Sequence, residues 1–598
     1  MKFKELSQYF EKIEHTSSRL EITEHLAVLF KNLSESEIDK TTYLLQGRLT
    51  PLYKRLDFGV AEKMVIKSAI NALQIDRTAF LHQNQTIGDI GKTIEYFKKT
   101  HENLLQYEKG LSVLEVYNML LAIAQANGTG SQEIKLQRIA ELIQRLDPLS
   151  TRYISRIVTG VMRLGFSDMT VLDAFSWMLQ GNKDLRSAIE KVYHVRPDLG
   201  FIGKILKLDG ISGLSHIKPE IFIPIIMMRA ERASSGLEII EKVGTSSVEP
   251  KYDGFRLQVH FQKKDKVEVR LYSRNLDEVT YMYPDIVEGV IKELKVKEAI
   301  IEGEAIGFNP QTGDFLPFQQ TVQRKRKYGI SEKVSEIPLK LFAFELLYVD
   351  GKNFIAEPFI ERRRMLEKII HRSGDIFTDT LLISPEKIVD TAKQLELQFD
   401  EAVSKGLEGI MSKKLDGVYQ AGARGWNWIK FKRSYSSKID DTIDCVVMGY
   451  DFGRGKRAGF GIGAFLVGIY DEKNDQFVTV AKIGTGLTDT EWRELKERAD
   501  HYISDKKPAL YEVDKMMEVD KWVKPEIVVE IKADEITKSP VHTAGRKMKP
   551  SKSGSAVEVD VPGYALRFPR LIRFREDRRP EESTTLDEVD EMFRKATK

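Results

Sequence analysis

The spacing of apolar residues changes along the chain, and this change limits the fold more than any other feature of the sequence. Up to about residue 218, apolar residues recur every three or four positions, as in EITEHLAVLFKNL and EIKLQRIAELIQRL. This period predicts amphipathic helices. After Pro219 and Pro224, short alternating or continuous apolar runs such as FRLQVHF and KVEVRLYS predict strands. Helices and sheets therefore belong to separate parts of the chain.

The chain has 598 residues, too many for one hydrophobic core, so several domains are expected. We predict a multidomain protein with an all-α domain over 1–218, an α+β domain over 219–433 and a β-barrel domain over 434–585. The barrel is predicted from DTIDCVVMGYDFG and GAFLVGIYD, which are separated by a Gly-rich turn. Residues 586–598 are predicted to be a charged tail, either a short exposed helix or a disordered end.

The overall charge points to no particular partner, because 92 Lys and Arg face 89 Asp and Glu. A nucleic-acid surface would have to come from local clustering. The single cysteine, Cys445, excludes an internal disulfide and a cysteine-rich zinc site, which favours a reducing compartment. The sequence lacks a signal-peptide core and a long apolar run. We expect a cytoplasmic protein, associated with the nucleoid if prokaryotic, that does not bind membranes.

A Lys-x-Asp-Gly motif stands where an apolar run turns into a predicted strand, in EPKYDGFR at 249–256. By itself the motif is also typical of an ordinary surface hairpin. A catalytic role for Lys251 needs an unprotonated amine, whereas a free lysine titrates near ~10.4. Cations that depress its pKa and carboxylates that bind a metal should then occur elsewhere.

Such residues follow in a fixed order. The chain continues with LYSRN at 271–275, EGE at 302–304, FAFEL at 342–346, EGIMSK at 408–413, Arg424 and WIKFK at 428–432. The alternation in WIKFK predicts that Lys430 and Lys432 share one face of a strand. Two neighbouring like charges are unfavourable unless they meet an anion, and a phosphate is the obvious candidate.

This ordered set resembles the nucleotidyltransferase motifs shared by ATP-dependent DNA ligases and mRNA capping enzymes. The spellings EPKYDGFR, LYSRN and FAFELLYVDG, with GYALRFPRLIRFREDRRPEEST at 563–584, resemble the archaeal and eukaryotic replicative DNA ligases. The likeness extends into the helical region through LLQGRLTP, NGTGSQEIK and YISRIVTGVMRLGF. The resemblance implies a DNA-binding domain, an adenylation (nucleotidyltransferase) domain and an OB-fold domain, in that order.

The resemblance implies that Lys251 attacks the α-phosphate of ATP and carries AMP. AMP then passes to the 5′-phosphate of a nick, and the 3′-hydroxyl displaces it to seal the strand, in replication, repair and recombination. Glu304 and Glu408 are expected to hold Mg²⁺, with Mn²⁺ as an alternative. The nucleotide is expected to meet Glu249 at the adenine amino group, Phe344 by stacking, Arg256 and Arg274 at the nucleotide or the 5′-phosphate, Arg424 and Lys430 at the triphosphate, and Lys432 at the α-phosphate. Asp253, through the metal or the sugar, and Lys413 complete the predicted set.

The last motif contains a cationic run formed by Arg567, Arg570, Arg575 and Arg578. One interpretation is a solvated basic strand. The resemblance implies instead that this segment closes over the pyrophosphate during self-adenylation, by a domain movement about a hinge near Lys432–Lys438. Relatives usually end this motif with Asp-Lys, whereas here it ends Asp577-Arg578; arginine keeps the charge and adds a planar fork.

The expected partner is nicked duplex DNA, wrapped by a monomer. Gly128 and Gly130 should let main-chain amides approach phosphates, and Arg163 with Gly165 should act similarly. Such binding depends on shape and salt rather than on base sequence. Relatives bind a sliding clamp through a glutamine followed by an aromatic pair; the corresponding stretch, HENLLQYEKGLS at 101–112, lacks that pair, so clamp binding stays a hypothesis.

Three other functions compete with this interpretation. An RNA ligase or capping guanylyltransferase shares the central motifs but not the helical region or the RFPR segment. NAD-dependent ligases carry a four-cysteine zinc module, which one cysteine cannot form. A non-catalytic nick-binding scaffold would be expected to lack Lys251 or the two glutamates, and all three are present.

Overall fold

The structure is a computed structural model of the whole chain. It describes residues 1–598 except 55, 101–109, 312–314, 317, 327–328, 372, 374, 405–406, 433–441, 454–459, 485–486, 534, 551–556, 568 and 597–598. For residues 318, 319, 331, 403, 404, 535, 550, 557, 558, 567 and 596 it describes the backbone alone.

The first region is helical, as the apolar period predicts. Local signals set the helix ends: the helix that starts at Pro148 has proline in its first turn, and the Asp147 side chain accepts from the amide of Ser150. The apolar faces converge on one core of aromatic and aliphatic side chains. The helices are α1 Phe3–His15, α2 Arg19–Asn32, α3 Ile38–Leu45, α4 Glu62–Leu73, α5 Arg77–Ile87, α6 Ile90–Thr100, α7 Val113–Gln125, α8 Ser131–Arg145, α9 Pro148–Val158, α10 Asp168–Gln180, α11 Arg186–Val195 and α12 Leu199–Asp209, followed by a 3₁₀ turn Gly210–His216.

The middle region mixes strands and helices. Its strands are β1 Arg229–Arg232, β2 Ser246–Lys251, β3 Phe255–Lys263, β4 Val267–Ser273, β5 Glu298–Gly307, β6 Leu339–Val349, β7 Lys352–Asn353, β8 Leu381–Ile383, β9 Lys387–Val389, β10 Gly409–Lys414 and β11 Arg424–Lys432. Its helices are α13 Gly236–Val243, α14 Pro284–Glu293, α15 Phe318–Thr321, α16 Ile330–Glu336, α17 Phe359–Ile369 and α18 Ala392–Ser404.

Two sheets organise this middle region. In the described residues, one sheet has the order β1-β11-β10-β2-β9, and the other has the order β4-β3-β5-β6-β7 with β8 paired to β6. Each sheet has its own apolar core, and a third apolar cluster that includes Ile300, Leu347 and Trp428 lies between them. Predicted motifs of the two sheets meet each other, as where Lys413 of β10 donates to the Phe344 carbonyl of β6.

The last region is rich in strands. They are β12 Thr442–Asp451, β13 Ala464–Asp471, β14 Gln476–Ile483, β15 Ile503–Ser504, β16 Tyr511–Glu512, β17 Lys521–Val523, β18 Val528–Lys532, β19 Glu535–Ser539, β20 Lys547–Pro550, β21 Val557–Val561, β22 Gly563–Arg567 and β23 Arg570–Phe574, with helices α19 Asp489–Asp500 and α20 Leu586–Ala596. The main sheet has the order β15-β17-β12-β13-β14-β16, and β18 joins β12 to β23.

The end of the chain differs from the prediction of an exposed helix or a disordered tail. Residues 586–596 form α20, and Val589 is fully buried. Leu586, Met592 and Phe593 pack with it against the core of the strand-rich region. The spacing of these four apolar residues is helical, so the segment has an apolar face despite its many charges.

Candidate active site

Lys251 is the last residue of β2, and its Nζ contacts the carboxylate of Glu408. Lys251 pairs with Gly409 and Gly409 with Lys432, so the two lysines flank the residue that follows Glu408. The Lys432 Nζ lies 3.5 Å from Glu408 Oε1. Burial opposes the ionisation of Glu408, but Lys251 and Lys432 hold its pKa well below the ordinary value. Burial also holds the pKa of Lys430 well below its ordinary value. Of the cations and carboxylates expected around Lys251, the carboxylate of Glu408 is in direct contact with it, and the Lys432 ammonium lies on the other side of that carboxylate.

Two more carboxylates belong to the same cluster. Burial raises the pKa of Glu304 to about 7, against the opposing effects of Lys251 and Arg256. Burial and Glu408 also raise the pKa of Asp253. Glu304 is thus a partly buried carboxylate with too little positive charge around it.

These carboxylates can be compared with the needs of a divalent ion. Among the described residues, no group of three or more His, Cys, Asp or Glu residues is arranged to hold a metal by itself. Mg²⁺ is commonly bound by one or two carboxylates together with phosphate oxygens and water. Glu304 and Glu408 fit that donor set, and the raised pKa of Glu304 marks a place where a cation would be stabilising.

Glu249 and Phe344, predicted to meet adenine, are tied together by Lys413. The Lys413 Nζ lies 3.0 and 2.9 Å from the two Glu249 carboxylate oxygens. It also donates to the Phe344 carbonyl at 2.7 Å and lies 5.0 Å from the centroid of the Phe344 ring. Arg363 of α17 adds a contact to Glu249 at 3.4 Å. Sequence reasoning missed Arg363, because the run RRR in a helical segment carries no sign of this contact.

Arg256 is held by protein groups. It donates from Nη2 to Glu302 at 2.5 Å and from Nη1 to the Met228 carbonyl at 2.8 Å. The Tyr419 hydroxyl donates to the same Glu302 carboxylate at 3.0 Å. Among the described groups, the Arg256 Nε is left without a hydrogen-bond partner, and its guanidinium lies 5.3 Å from the Phe344 ring centroid. Arg256 thus has one buried donor, Nε, that the described protein groups leave unused. Glu302 and Tyr419 were not predicted, although EGE already contained Glu302.

Carboxylates from the end of the chain meet two of the predicted cations. Arg274 Nε lies 3.2 Å from Glu582 Oε2. Glu588, near the start of α20, contacts Arg424 and lies 3.1 Å from Arg232 Nε. Glu588 is almost fully buried, and these arginines hold its pKa well below the ordinary value in spite of burial. The strand-rich region thus lies against the middle region. Its carboxylates contact arginines that the sequence had assigned to the nucleotide or its phosphates.

The predicted basic run is also engaged by carboxylates. Arg575 Nη1 and Arg578 Nε lie 3.2 and 3.3 Å from the two oxygens of Asp444. Arg570 is exposed on β23. The Arg567 side chain lies outside the described residues. Asp444 was not predicted, because DTIDCVVMGYD reads as a buried strand.

The glycines predicted to approach duplex DNA lie in left-handed backbone conformations. Gly128, Gly130 and Gly165 have positive φ angles of 85°, 82° and 73°. A Cβ atom added at Gly128 or Gly130 would meet nothing within 4 Å. Arg163 lies 3.0 Å from Asp89 and, with Gly165, lines a cavity of about 980 Å³ between the three regions. The backbone around Gly128 and Gly130 is therefore open to a ligand.

Two predicted segments lie outside the described residues. They are the hinge near Lys432–Lys438, from residue 433 onward, and most of the 101–112 stretch considered for clamp binding. In the described part of the chain, no helix combines the length and hydropathy needed to cross a bilayer.

Known families match almost the whole chain. Residues 2–176 match the DNA ligase N terminus, residues 227–432 the ATP dependent DNA ligase domain, and residues 458–578 the ATP dependent DNA ligase C terminal region. A probable DNA ligase of Dictyoglomus turgidum is 46% identical over 99% of this chain and 98% of its own length. DNA ligase 2 of Thermofilum pendens is 42% identical over 99% and 97%. A DNA ligase of Hyperthermus butylicus is 41% identical over 100% and 97%.

Proposed function

The chain belongs to the ATP-dependent DNA ligase family, and on that basis we propose a residue-level account of its reaction. It seals nicks in DNA by ATP-dependent ligation. The observation that carries the assignment of the nucleophile is the contact of Lys251 with Glu408, at the point where β2 and β10 meet beside Lys432.

Lys251 is the nucleophile. Its Nζ, after losing its proton to solvent, forms a bond to the α-phosphorus of ATP while the bond from that phosphorus to the bridging oxygen breaks. Pyrophosphate leaves with the electron pair, and AMP stays on Nζ. An oxygen of the 5′-phosphate at the nick then displaces Lys251, and the 3′-hydroxyl finally displaces AMP. Because each step is a phosphoryl transfer, the protein acts chiefly by positioning and by neutralising charge.

The remaining residues hold the nucleotide. Glu249, fixed by Lys413, accepts from the adenine amino group, and Phe344 stacks on the base. Arg256 and Arg274 contact the nucleotide or the 5′-phosphate. Arg424, Lys430 and Lys432 contact phosphate oxygens.

Glu304 and Glu408 are the residues that would hold Mg²⁺, or Mn²⁺ in its place. When bound, the ion supplies positive charge to the phosphate oxygens. Glu408 also contacts Lys251, so it orients the nucleophile in the free enzyme. Asp253 lies close enough to Lys251 and Glu408 for both charges to affect its pKa, and it assists through the metal or the sugar.

The test is a self-labelling experiment. Wild type and Lys251→Ala are incubated with α-labelled ATP and Mg²⁺, and unlabelled nicked DNA is then added. Wild type should form a labelled adduct that nicked DNA discharges, and Lys251→Ala should form none. A labelled Lys251→Ala protein would contradict the assignment. Labelling by GTP alone would favour a capping guanylyltransferase, and ligation with NAD alone an NAD-dependent enzyme.

The strand-rich region is proposed to be an OB-fold domain that swings between the nucleotide and the DNA. The proposal is supported by the sheet, in which β18 pairs with both β12 and β23 and all three strands pack on one apolar core. The protein is proposed to act as a cytoplasmic monomer. Clamp binding stays a separate proposal, and failure of the chain to co-elute with a sliding clamp would contradict it.

A further inference from the structure

We propose that Asp444 is a positioning residue for self-adenylation, because it holds the two last arginines of the basic run in place. This inference rests on the proposed function of the basic run, which is to meet the phosphates of ATP. Arg232 and Lys432 are further cations close enough to Asp444 to lower its pKa, but weaker ones than the two arginines.

One carboxylate holds both arginines. Asp444 Oδ1 and Oδ2 lie 3.2 and 3.4 Å from Arg575 Nη1, and Oδ2 lies 3.3 Å from Arg578 Nε. Arg578 also donates to the Glu582 carbonyl at 3.0 Å, and Arg575 pairs with Asp577 at 2.9 Å. Asp444 is the carboxylate that contacts both guanidinium groups, so it helps to set the distance between them.

Asp444 is 4% exposed, and an unpaired charge so deeply buried is strongly unfavourable. Burial alone would favour its neutral form, but Arg578 and Arg575 hold its pKa below the ordinary value. The carboxylate is therefore ionised whenever the arginines are in place. A buried ionised group with two fixed partners is a rigid anchor for long and otherwise mobile side chains.

The backbone of Asp444 fixes the next part of the chain. Its amide donates to the Thr584 hydroxyl at 2.9 Å, and its carbonyl accepts from the Thr584 amide at 2.8 Å. Thr584 stands just before α20, where Glu588 accepts from the Thr585 amide at 2.8 Å. One residue of β12 thus anchors both the arginine motif and the entry to the last helix.

The place of Asp444 in the chain explains why such an anchor is useful. It is the third residue of β12, directly after residues 433–441, which connect the middle region to the strand-rich region. Arg575 and Arg578 come from a loop at the far end of that region's sequence. Asp444 therefore joins the first strand of this region to the loop that follows β23, so both arginines are held against β12.

The experiment compares two steps of the reaction in Asp444→Asn. Self-adenylation is measured with labelled ATP, and sealing is measured with pre-adenylated nicked DNA without ATP. We expect self-adenylation to fall by about tenfold, the effect of losing charge-assisted hydrogen bonds, while sealing stays within about twofold of wild type. Equal losses in both steps, or no loss in either, would overturn the inference. Wild type that fails to label would instead refute the proposed function.

Controls separate positioning from folding. Asp514→Asn removes a comparable Asp–Arg pair, with Arg546 at 2.5 Å, and should leave both steps unchanged. In a double-mutant cycle with Arg578→Gln, the two losses in self-adenylation should not add, because Asp444 acts through the arginine; additive losses would contradict this. Should Asp444→Asn not fold, Asp444→Glu keeps the charge and should show the same selective loss, about threefold, and equal losses in both steps would overturn the inference.

Discussion

Beside Lys251, two glutamates of the same chemistry have pKa values shifted in opposite directions. Glu408 is in contact with Lys251 and near Lys432, and its pKa is lowered. Glu304 is partly buried with less nearby positive charge, and its pKa is raised to about 7. The difference comes from one or two nearby ammonium groups rather than from the residue type.

The raised pKa of Glu304 predicts a dependence of stability on pH. Between pH 4.5, its ordinary pKa, and pH 7 the folded protein binds more protons at this site than the unfolded chain does. Stability should therefore fall as pH rises through this window, and Glu304→Gln should reduce the fall by on the order of 1 kcal/mol. Thermal unfolding at a series of pH values, without nucleotide or divalent ions, measures the stability of both proteins. If stability falls with pH as steeply in Glu304→Gln as in wild type, the prediction is contradicted. The pKa of Glu581 is also raised to about 7, so Glu581→Gln should independently reduce the fall in stability.

At the scale of the element, the close approach of two paired strands, β10 and β11, builds the site. Gly409 has a φ of +150°, and a Cβ atom there would lie 2.1 Å from the Phe431 carbonyl oxygen. Glycine therefore lets β10 and β11 approach closely enough for Glu408 to reach Lys251 on the other side. The EGIMSK motif predicted the glutamate. That residue 409 must be a glycine follows only from the position of the neighbouring strand β11.

Gly409→Ala should push β10 from β11 and destabilise the protein by about 2–3 kcal/mol. Because Glu408 moves with the strand, self-adenylation should fall by about tenfold or more. Denaturant unfolding and labelling with ATP measure the two effects. Gly351→Ala, at a φ of +89° with nothing near the added Cβ, isolates the backbone cost and should leave labelling intact. Normal labelling by Gly409→Ala would contradict this account.

At the scale of the whole molecule, ion pairs hold the strand-rich region against both the middle region and the helical region. Glu588 and Glu582 reach arginines of the middle region. On the other side, Arg19 of α2 binds the Asp475 carboxylate and, at 2.6 Å, its carbonyl. Removing one partner of a buried ion pair leaves an unpaired charge and is strongly destabilising. These contacts therefore determine how readily the strand-rich region separates from the other two regions.

Glu588→Gln should weaken this docking, because it leaves buried Arg424 and Arg232 without their shared carboxylate. We expect a larger radius of gyration in solution scattering without DNA, and a lower KM for ATP because Arg424 is free to meet phosphates. Asp587 is on the same helix as Glu588 and forms an exposed pair with Lys473, so Asp587→Asn should change neither quantity. A Glu588→Gln protein as compact as wild type would show that other contacts hold the region.

The sequence by itself determined the change from helices to strands, the ligase family and the ordered motifs around Lys251. Periodicity and motif spelling are local, so they can be read without the fold. Only the tertiary structure decided that Asp444 holds Arg575 across 131 positions, that Arg363 reaches Glu249 across 114, and that a tail expected to be exposed brings Glu588 onto Arg424. Such ion pairs join residues whose neighbours in sequence carry no sign of them, because burial and the packing of distant elements decide which charges meet.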